Sequence, residues 1–275
     1  MPELPEVETL KLSLKKNIIG QSIRDVDIRS PKLRYPIPAH LRSCIISTIV
    51  TNLTRRAKYL IFTLSNNNSL IIHLGMTGRL FYLKNADTYL PKKHDHVIFL
   101  VSNGYLIFND TRRFGLIDII NTSDINDHKI FTSLGPEPLS EQFNEQYFYN
   151  RIKKRKTSIK TAIMDNTIIV GVGNIYASES LFLSHIHPEK SCCNLSKLEI
   201  KDLVNSIKQV LLKAITAGGT TFKDFLGIDN QPGNFKQQLT VYGRAGQECM
   251  GCNNTITKLK QSGRASFYCP NCQIL

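Results

Sequence analysis

Four cysteines near the C-terminus constrain the fold more than any other feature of this chain. Cys249-Met-Gly-Cys252 is followed, sixteen residues on, by Cys269-Pro-Asn-Cys272. Each C-x-x-C knuckle turns tightly enough to aim both sulfurs at one point, and two knuckles at this separation match a zinc-binding pair. Four thiolates close a tetrahedral shell and leave no place for water, so the expected ion is one structural Zn2+ with no catalytic role. The competing readings, two disulfides or four free thiols, sit poorly with a reducing compartment. The total of seven cysteines is odd, which argues against a complete disulfide framework. Cys44, Cys192 and Cys193 follow no metal spacing and read as reduced structural thiols. Between the knuckles runs TITKLKQSGRASFY, with a hairpin turn expected at Gln261-Ser262-Gly263 and Arg264 at its edge. A metal-braced hairpin would hold that arginine on a rigid tip, and an ordinary solvated arginine is the alternative.

So small a module leaves most of the 275 residues to other domains, and the length predicts two or three in all. Short apolar stretches at 45–50, 59–64, 70–74, 97–101 and 105–108 read as strands. Asn66-Asn67-Asn68 and Ser102-Asn103-Gly104 punctuate them as turns, the latter joining a hairpin. Many short strands without helices between them predict a β-sandwich or barrel over residues 1–130. Leu134-Gly135-Pro136-Glu137-Pro138 reads as part of a linker, 131–150. Residues 151–234 then turn helical. Ser196-x-x-Glu199 is a capping box, Leu203, Val204, Ile207, Val210, Leu211, Ala214 and Ile215 share one face, and Gly218-Gly219 ends the helix. The metal module occupies 235–275.

No apolar run approaches the roughly 18 residues of a membrane span. The N-terminus lacks the basic-then-apolar pattern of a signal peptide, so the expected compartment is the cytoplasm. Lys and Arg number 35 against 22 acids, a formal charge of +13. No strongly basic amphipathic helix stands out, so this surface favours nucleic acid over membrane.

Several short stretches carry candidate chemistry. In MPELPEVETL, Pro5, Glu6 and Glu8 suit a first helical turn, with Val7, Leu10 and Leu14 following at helical spacing. Capping needs neither Pro2 nor Glu3. Val170-Gly171-Val172-Gly173-Asn174 precedes a helix-like stretch, 175–184, where backbone amides can approach a phosphate. Asn174 would either cap that helix or touch the phosphate itself. The run Lys153-Lys154-Arg155-Lys156 lies upstream. Asn109-Asp110-Thr111-Arg112-Arg113-Phe114-Gly115 puts a large aromatic beside arginines in a turn, a pattern suited to a wedge entering a DNA stack. His73-Leu-Gly-Met76 ends another strand with a bulky, flexible side chain at the loop.

Taken together, MPELPEVE, Arg55-Arg-Ala-Lys58, HLGMTG, KHDH, NDTRRFG, LGPEPL, MDNTIIVGVGNIYASE, GGTTFKDF and the paired C-x-x-C knuckles resemble bacterial formamidopyrimidine-DNA glycosylase, the MutM type. The likeness runs from residue 2 to residue 272 in order and with compatible spacing. It implies an α+β multidomain fold: an N-terminal β-sandwich with a flanking helix, a helix–two-turns–helix domain, and a β-hairpin zinc finger. It also implies a bifunctional glycosylase and abasic-site lyase of base excision repair, acting as a monomer on double-stranded DNA that contains oxidised purines or abasic sites. The related endonuclease VIII begins P-E-G-P-E and prefers oxidised pyrimidines. Leu4 and the RRFG wedge place this chain on the formamidopyrimidine side.

The resemblance gives Pro2 a purpose. Removal of Met1 would leave a secondary amine that attacks a sugar C1′ and displaces the damaged base as an iminium forms. Glu3 would protonate the ring oxygen O4′, for which a dry pocket must hold it as the acid. Glu6 would orient the amine. Lys58 and Arg264 match residues that assist the first and second eliminations, with Arg264 also gripping phosphate. His73, His94, Arg112, Arg155 and Asn174 match DNA contacts, although lysine is common in the family where Arg155 stands. Met76, Arg112 and Phe114 match the trio that fills the space left by the extruded base. The stretch 218–242 matches a loop that closes over the purine. A damage binder of the same fold without chemistry is the competing class, and Pro2, Glu3 and Lys58 argue against it.

Overall fold

The computed structural model describes residues 2–84, 88–220 and 234–275 and divides the chain into two compact units. The first takes the described residues among 1–132 and 218–233; the second takes 133–217 and 234–275. Most of the stretch 218–242 matched to a closing loop lies outside the described residues.

The first unit opens with α1 (Leu4–Ile18). Pro5 occupies its first turn, where no amide hydrogen is missed, and Lys15 and Lys16 complement the dipole at its other end. Val7, Leu10, Leu14 and Ile18 form its buried stripe. There follow β1 (Ile23–Ile28), α2 (Leu41–Ile45), β2 (Val50–Arg56), β3 (Tyr59–Leu64), β4 (Asn68–His73), β5 (Gly78–Lys84), β6 (Asp95–Val101), β7 (Gly104–Asp110) and β8 (Leu116–Asn121). The strands pair antiparallel in two sheets, ordered β1-β6-β7-β5 and β2-β3-β4-β8. Val26, Phe99 and Phe108 of one sheet share a single core with Phe62, Leu70 and Ile72 of the other and with the stripe of α1. This is the expected β-sandwich with its flanking helix.

The strand expected at 45–50 is not one. Leu41 and Ile45 lie one helical turn apart and bury the inner face of α2, and Ser47 takes a φ of +61°, outside any strand geometry. The run of isoleucines imitates a strand, but only Ile45 is buried, while Ile46 is half-buried and Ile49 exposed. Four strands of this unit escape the sequence reading: β1, β2, β5 and β8. β1 and β2 space their buried residues every third position among polar and charged ones, so neither reads as an apolar run.

The second unit contains α3 (Glu145–Ile152), α4 (Ile159–Ile163), α5 (Asn174–Leu183), α6 (Lys197–Thr216) and the hairpin β9 (Thr257–Gln261) and β10 (Arg264–Tyr268). α6 starts at the Ser196–Glu199 capping box and packs on α3 and α5. The stretch 134–138 is tightly held here. Gly135 donates to the Asn166 carbonyl, and a Cβ on it would come within 2.6 Å of the Ile168 backbone. Glu179, buried on α5, accepts the amides of Thr240, Val241 and Tyr242 at 2.8, 3.0 and 2.8 Å. Gln273 accepts the Cys269 amide and donates to the Ile186 carbonyl. These bonds fasten the hairpin module to α5 around a small core of Val241, Cys249, Ile256, Cys269 and Phe182. Among the described residues no helix is long and apolar enough to cross a membrane.

Candidate active site and metal centre

The two cysteine knuckles flank the β9–β10 hairpin. Their four Sγ atoms lie within 4.8 Å of one another, with Cys249–Cys272 at 3.9 Å and Cys252–Cys269 at 3.4 Å. A tetrahedral ion with Zn–S bonds of about 2.3 Å needs sulfurs about 3.8 Å apart. The donor set therefore fits one zinc ion. The surroundings also favour thiolate at one corner, since the Asn254 amide pulls the Cys252 thiol down to about 6. Burial pushes Cys269 and Cys272 up, a penalty that a bound dication removes. With sulfur on all four sides, the ion would brace the hairpin. The turn it braces, Ser262-Gly263, has both residues at positive φ, as a tight two-residue hairpin requires, and Arg264 stands exposed beside it.

At the head of α1, Pro2 and Glu3 are both buried, Glu3 to 2 % exposure. Glu6 is equally enclosed. Its Oε2 accepts the Glu3 amide at 2.8 Å, and its Oε1 accepts the amide and hydroxyl of Thr220 at 2.8 and 2.9 Å. Glu3 is the N-cap of α1 and forms a capping box with Glu6, so capping does use Glu3, contrary to the sequence expectation, and Glu6 fixes the backbone next to Pro2. Lys58 sits in the two-residue turn between β2 and β3, after Ala57 at φ +52°. Arg55 braces this turn by donating to the Ala57 carbonyl at 2.8 Å and to Glu8 of α1 at 2.6 Å. Burial opposes the charge on Glu8, but Lys11 and Arg55 together hold its carboxyl below the usual range. His73 ends β4. Burial first, then the nearby positive charges of Lys58 and Arg34, lower its pKa to about 4, so the ring is neutral at pH 7. Its Nδ1 accepts the Gly75 amide at 3.0 Å, which leaves the proton on Nε2.

Two loops of the same unit carry the proposed inserted side chains. Met76 follows β4, Arg112 and Phe114 follow β7, and all three are exposed. The Arg112 guanidinium carbon lies 4.6 Å from the Phe114 ring centroid. The loops touch through their backbones: Gly75 has a φ of +64°, and a Cβ there would meet the Phe114 carbonyl carbon at 2.4 Å. His94 precedes β6 at a φ of +74°, and its carbonyl accepts the Asp110 amide at 3.0 Å.

In the second unit, Asn174 is the first residue of α5, and Gly173 is the N-cap. The capping alternative for Asn174 is therefore wrong. Glycine supplies the entry geometry, and the Asn174 amide instead donates to the Ala265 carbonyl at 2.9 Å. Lys160, buried to 2 % exposure, donates to Asn174 Oδ1 at 2.7 Å, Ser266 Oγ at 2.8 Å and the Ala265 carbonyl at 3.0 Å. It ties the start of α5 to the strand that begins at Arg264. A cleft of about 340 Å³ lined by Lys160, Asn174, Ser262 and Arg264 opens there. Arg155 does not itself line the cleft but pairs at 3.1 Å with Asp165, which does.

Three family models match the chain in order. They describe the formamidopyrimidine-DNA glycosylase N-terminal domain over residues 1–117, its H2TH domain over 134–225, and a zinc finger found in FPG and IleRS over 246–274. The formamidopyrimidine-DNA glycosylase of Rickettsia massiliae is 54% identical over 274 residues, covering 99% of this chain and 97% of the relative. This chain belongs to the formamidopyrimidine-DNA glycosylase family. The Rickettsia bellii member is 53% identical, covering 99% of each chain. Among solved members, a Lactococcus lactis FPG mutant bound to Fapy-dG DNA matches with a TM-score of 0.92 at 35% identity over 100% of both chains. The Lactococcus lactis Fpg bound to abasic-site DNA gives 0.93 at 35% identity, over 99% of this chain and 100% of that one.

Sequence reasoning about this glycosylase missed Lys160. It stands four residues beyond the basic run, and a lysine at the start of a short helix normally signals solvent, so nothing local marks it as buried. The zinc finger carries a direct expectation. Cys269→Ser should lose most of the bound zinc and weaken DNA binding by about tenfold or more, because Arg264 loses its braced turn. Metal content and a DNA titration measure the two effects. The thermal transition of the β-sandwich, whose core is separate, should stay in place.

Proposed function

We propose that this family member excises oxidised purines, 8-oxoguanine and formamidopyrimidines, from duplex DNA through a Schiff base on Pro2, then nicks the strand by two eliminations. The observation that carries this reading is the joint burial of Pro2 and Glu3 at the head of a core helix, beside a carboxylate, Glu6, that fixes their backbone. A capping box accounts for Glu3 and Glu6, but it gives no role to a buried proline ahead of the cap; amine chemistry does.

Once Met1 is removed, the Pro2 nitrogen is a secondary amine, far less basic than a lysine side chain. Its lone pair attacks C1′, the damaged base leaves with the glycosidic electron pair, and the sugar ring opens as the iminium forms. Glu3 gives its proton to O4′, which would otherwise carry the charge. The iminium acidifies the C2′ proton. Loss of that proton expels the 3′ phosphate with help from Lys58, and a second elimination, helped by Arg264, releases the sugar. Extrusion of the base precedes all of this. Met76 and Phe114 then fill the gap and wedge the stack, and Arg112 faces the orphaned cytosine. His73 grips backbone phosphate through its Nε2–H, and Asn174, His94, Arg155 and Arg264 add further contacts. Zinc, held by the four cysteines, braces the Arg264 turn. The protein works as a monomer in the cytoplasm, at the nucleoid.

The Fapy-dG and abasic-site DNA bound by the Lactococcus proteins support damaged duplex as the partner. A wild-type Lactococcus Fpg (MutM) is also solved with DNA containing an oxidised pyrimidine, which favours testing pyrimidine lesions beside purines. The test is a borohydride trap. Incubated with duplex containing 8-oxoguanine and then reduced, the protein should become covalently attached to the lesion strand. A damage binder without chemistry would give tight complexes and no adduct.

A further inference from the structure

We infer that Asp110 is a positioning residue for the wedge: one buried carboxylate sets the relative placement of the two loops that carry Met76, Arg112 and Phe114, and so governs discrimination of the orphaned base. The inference rests on the insertion roles proposed above.

Asp110 ends β7 and is wholly buried, at 0 % exposure. Its Oδ1 accepts the Thr77 hydroxyl at 2.6 Å and the Arg112 amide at 3.2 Å, and its Oδ2 accepts the Gly115 amide at 2.8 Å. Thr77 follows Met76 in the chain, and Gly115 follows Phe114. All three inserted side chains therefore sit on, or next to, a residue bonded to this one group. The Arg112 amide also donates to the Thr77 hydroxyl at 3.2 Å, so the two loops close on each other as well as on Asp110. The Asp110 main chain is held in turn, with its amide on the His94 carbonyl at 3.0 Å and its carbonyl accepting from His96 Nε2 at 2.8 Å.

The geometry calls for an anchor of this kind. Met76 and Phe114 are 39 and 42 % exposed, so side-chain packing does not fix them. Arg113, between Arg112 and Phe114, takes a φ of +55°, a conformation that persists only where its surroundings impose it. A wedge held in place before it meets DNA avoids the ordering cost on insertion. A carboxylate serves here because all three groups around it are donors. An amide would turn one NH2 toward an N–H or O–H and release that end of the loop.

The test compares Asp110→Asn, Thr77→Val and Thr77→Ser with Arg112→Ala. Each is assayed for excision of 8-oxoguanine opposite all four bases, for cleavage at a preformed abasic site, and for melting temperature. Asp110→Asn should slow excision opposite cytosine by about tenfold to a hundredfold, the scale of one lost charge-assisted bond. Thr77→Val should slow it by about tenfold. Both should compress the preference for cytosine, and Thr77→Ser should restore it. Abasic-site cleavage, which needs no damaged base expelled, should fall far less. If Asp110→Asn fails to fold, Thr77→Val decides, since it removes one hydroxyl from a half-buried loop position. An unchanged cytosine preference in Thr77→Val, or equal losses on every substrate in step with melting temperature, overturns the inference. Arg112→Ala separates the two layers. If it leaves the preference intact, the insertion reading itself is wrong; if it removes the preference while Thr77→Val and Asp110→Asn keep it, only the role of Asp110 is wrong.

Discussion

A protein that keeps Met1, or carries a tag ahead of it, should bind lesion DNA and release no base. In such a chain the Pro2 nitrogen is an amide, its lone pair is delocalised into the carbonyl, and it cannot attack C1′. The expected loss in excision is about 10⁴-fold or more, the order seen when a covalent enzyme loses its nucleophile. Borohydride should trap nothing. Binding should survive in part, because the proposed contacts at His73, Arg112 and Arg264 are remote in sequence from the added residues. Pro2 is buried, however, so a long tag must find a way out of the head of α1 and will weaken binding more than Met1 alone. Comparing a protein processed to Pro2 with one that retains only Met1 removes this complication. Full excision by the Met1-retaining form would end the case for the N-terminal amine.

Glu3→Gln should separate the two halves of the reaction. Glutamine has nearly the same shape as the acid and keeps the backbone bond to Glu6, so the head of α1 should stay in place. What it lacks is the proton for O4′. Excision should fall by about 10²- to 10⁴-fold, the usual contribution of a general acid. At a preformed abasic site there is no base to expel, and strand cleavage should persist at a substantial fraction of the wild-type rate. The measurement is a pair of single-turnover rates, on 8-oxoguanine duplex and on abasic duplex. Wild-type excision by the variant would remove Glu3 from the acid role, and equal losses on both substrates would mean that it acts mainly by holding Pro2.

The sequence showed some of this and hid the rest, for physical reasons. α1, α6 and the β6–β7 hairpin were legible because periodicity, caps and turn residues agree there. The cysteine knuckles were legible because metal chemistry fixes their spacing. The strand expected at 45–50 failed because hydrophobicity alone does not distinguish a short helix and turn from a buried strand. The site residues were named through motif likeness, but their supports were not. Arg55 reaching Glu8 from beside the Lys58 turn, Lys160 joining the start of α5 to Ala265 of the finger, and Asp110 holding Thr77 of the other loop all depend on partners far away in the chain. No local pattern encodes a long-range hydrogen bond, so these residues show their work only once the chain is folded.

α1 has a consequence for how such a protein can change. Its N-terminal end presents Pro2 and Glu3, while Val7, Leu10, Leu14 and Ile18 on the same rigid rod pack into the sandwich. On the proposed mechanism, chemistry and architecture are therefore inherited as one piece. A substitution that lets the rod slide or tilt inside the sandwich would also move the proposed nucleophile, so a genetic screen for lost activity would collect lesions deep in the hydrophobic interior alongside those at the terminus. Variation that retunes this enzyme without breaking it has to enter elsewhere, through loops that can drift while the rod stays still.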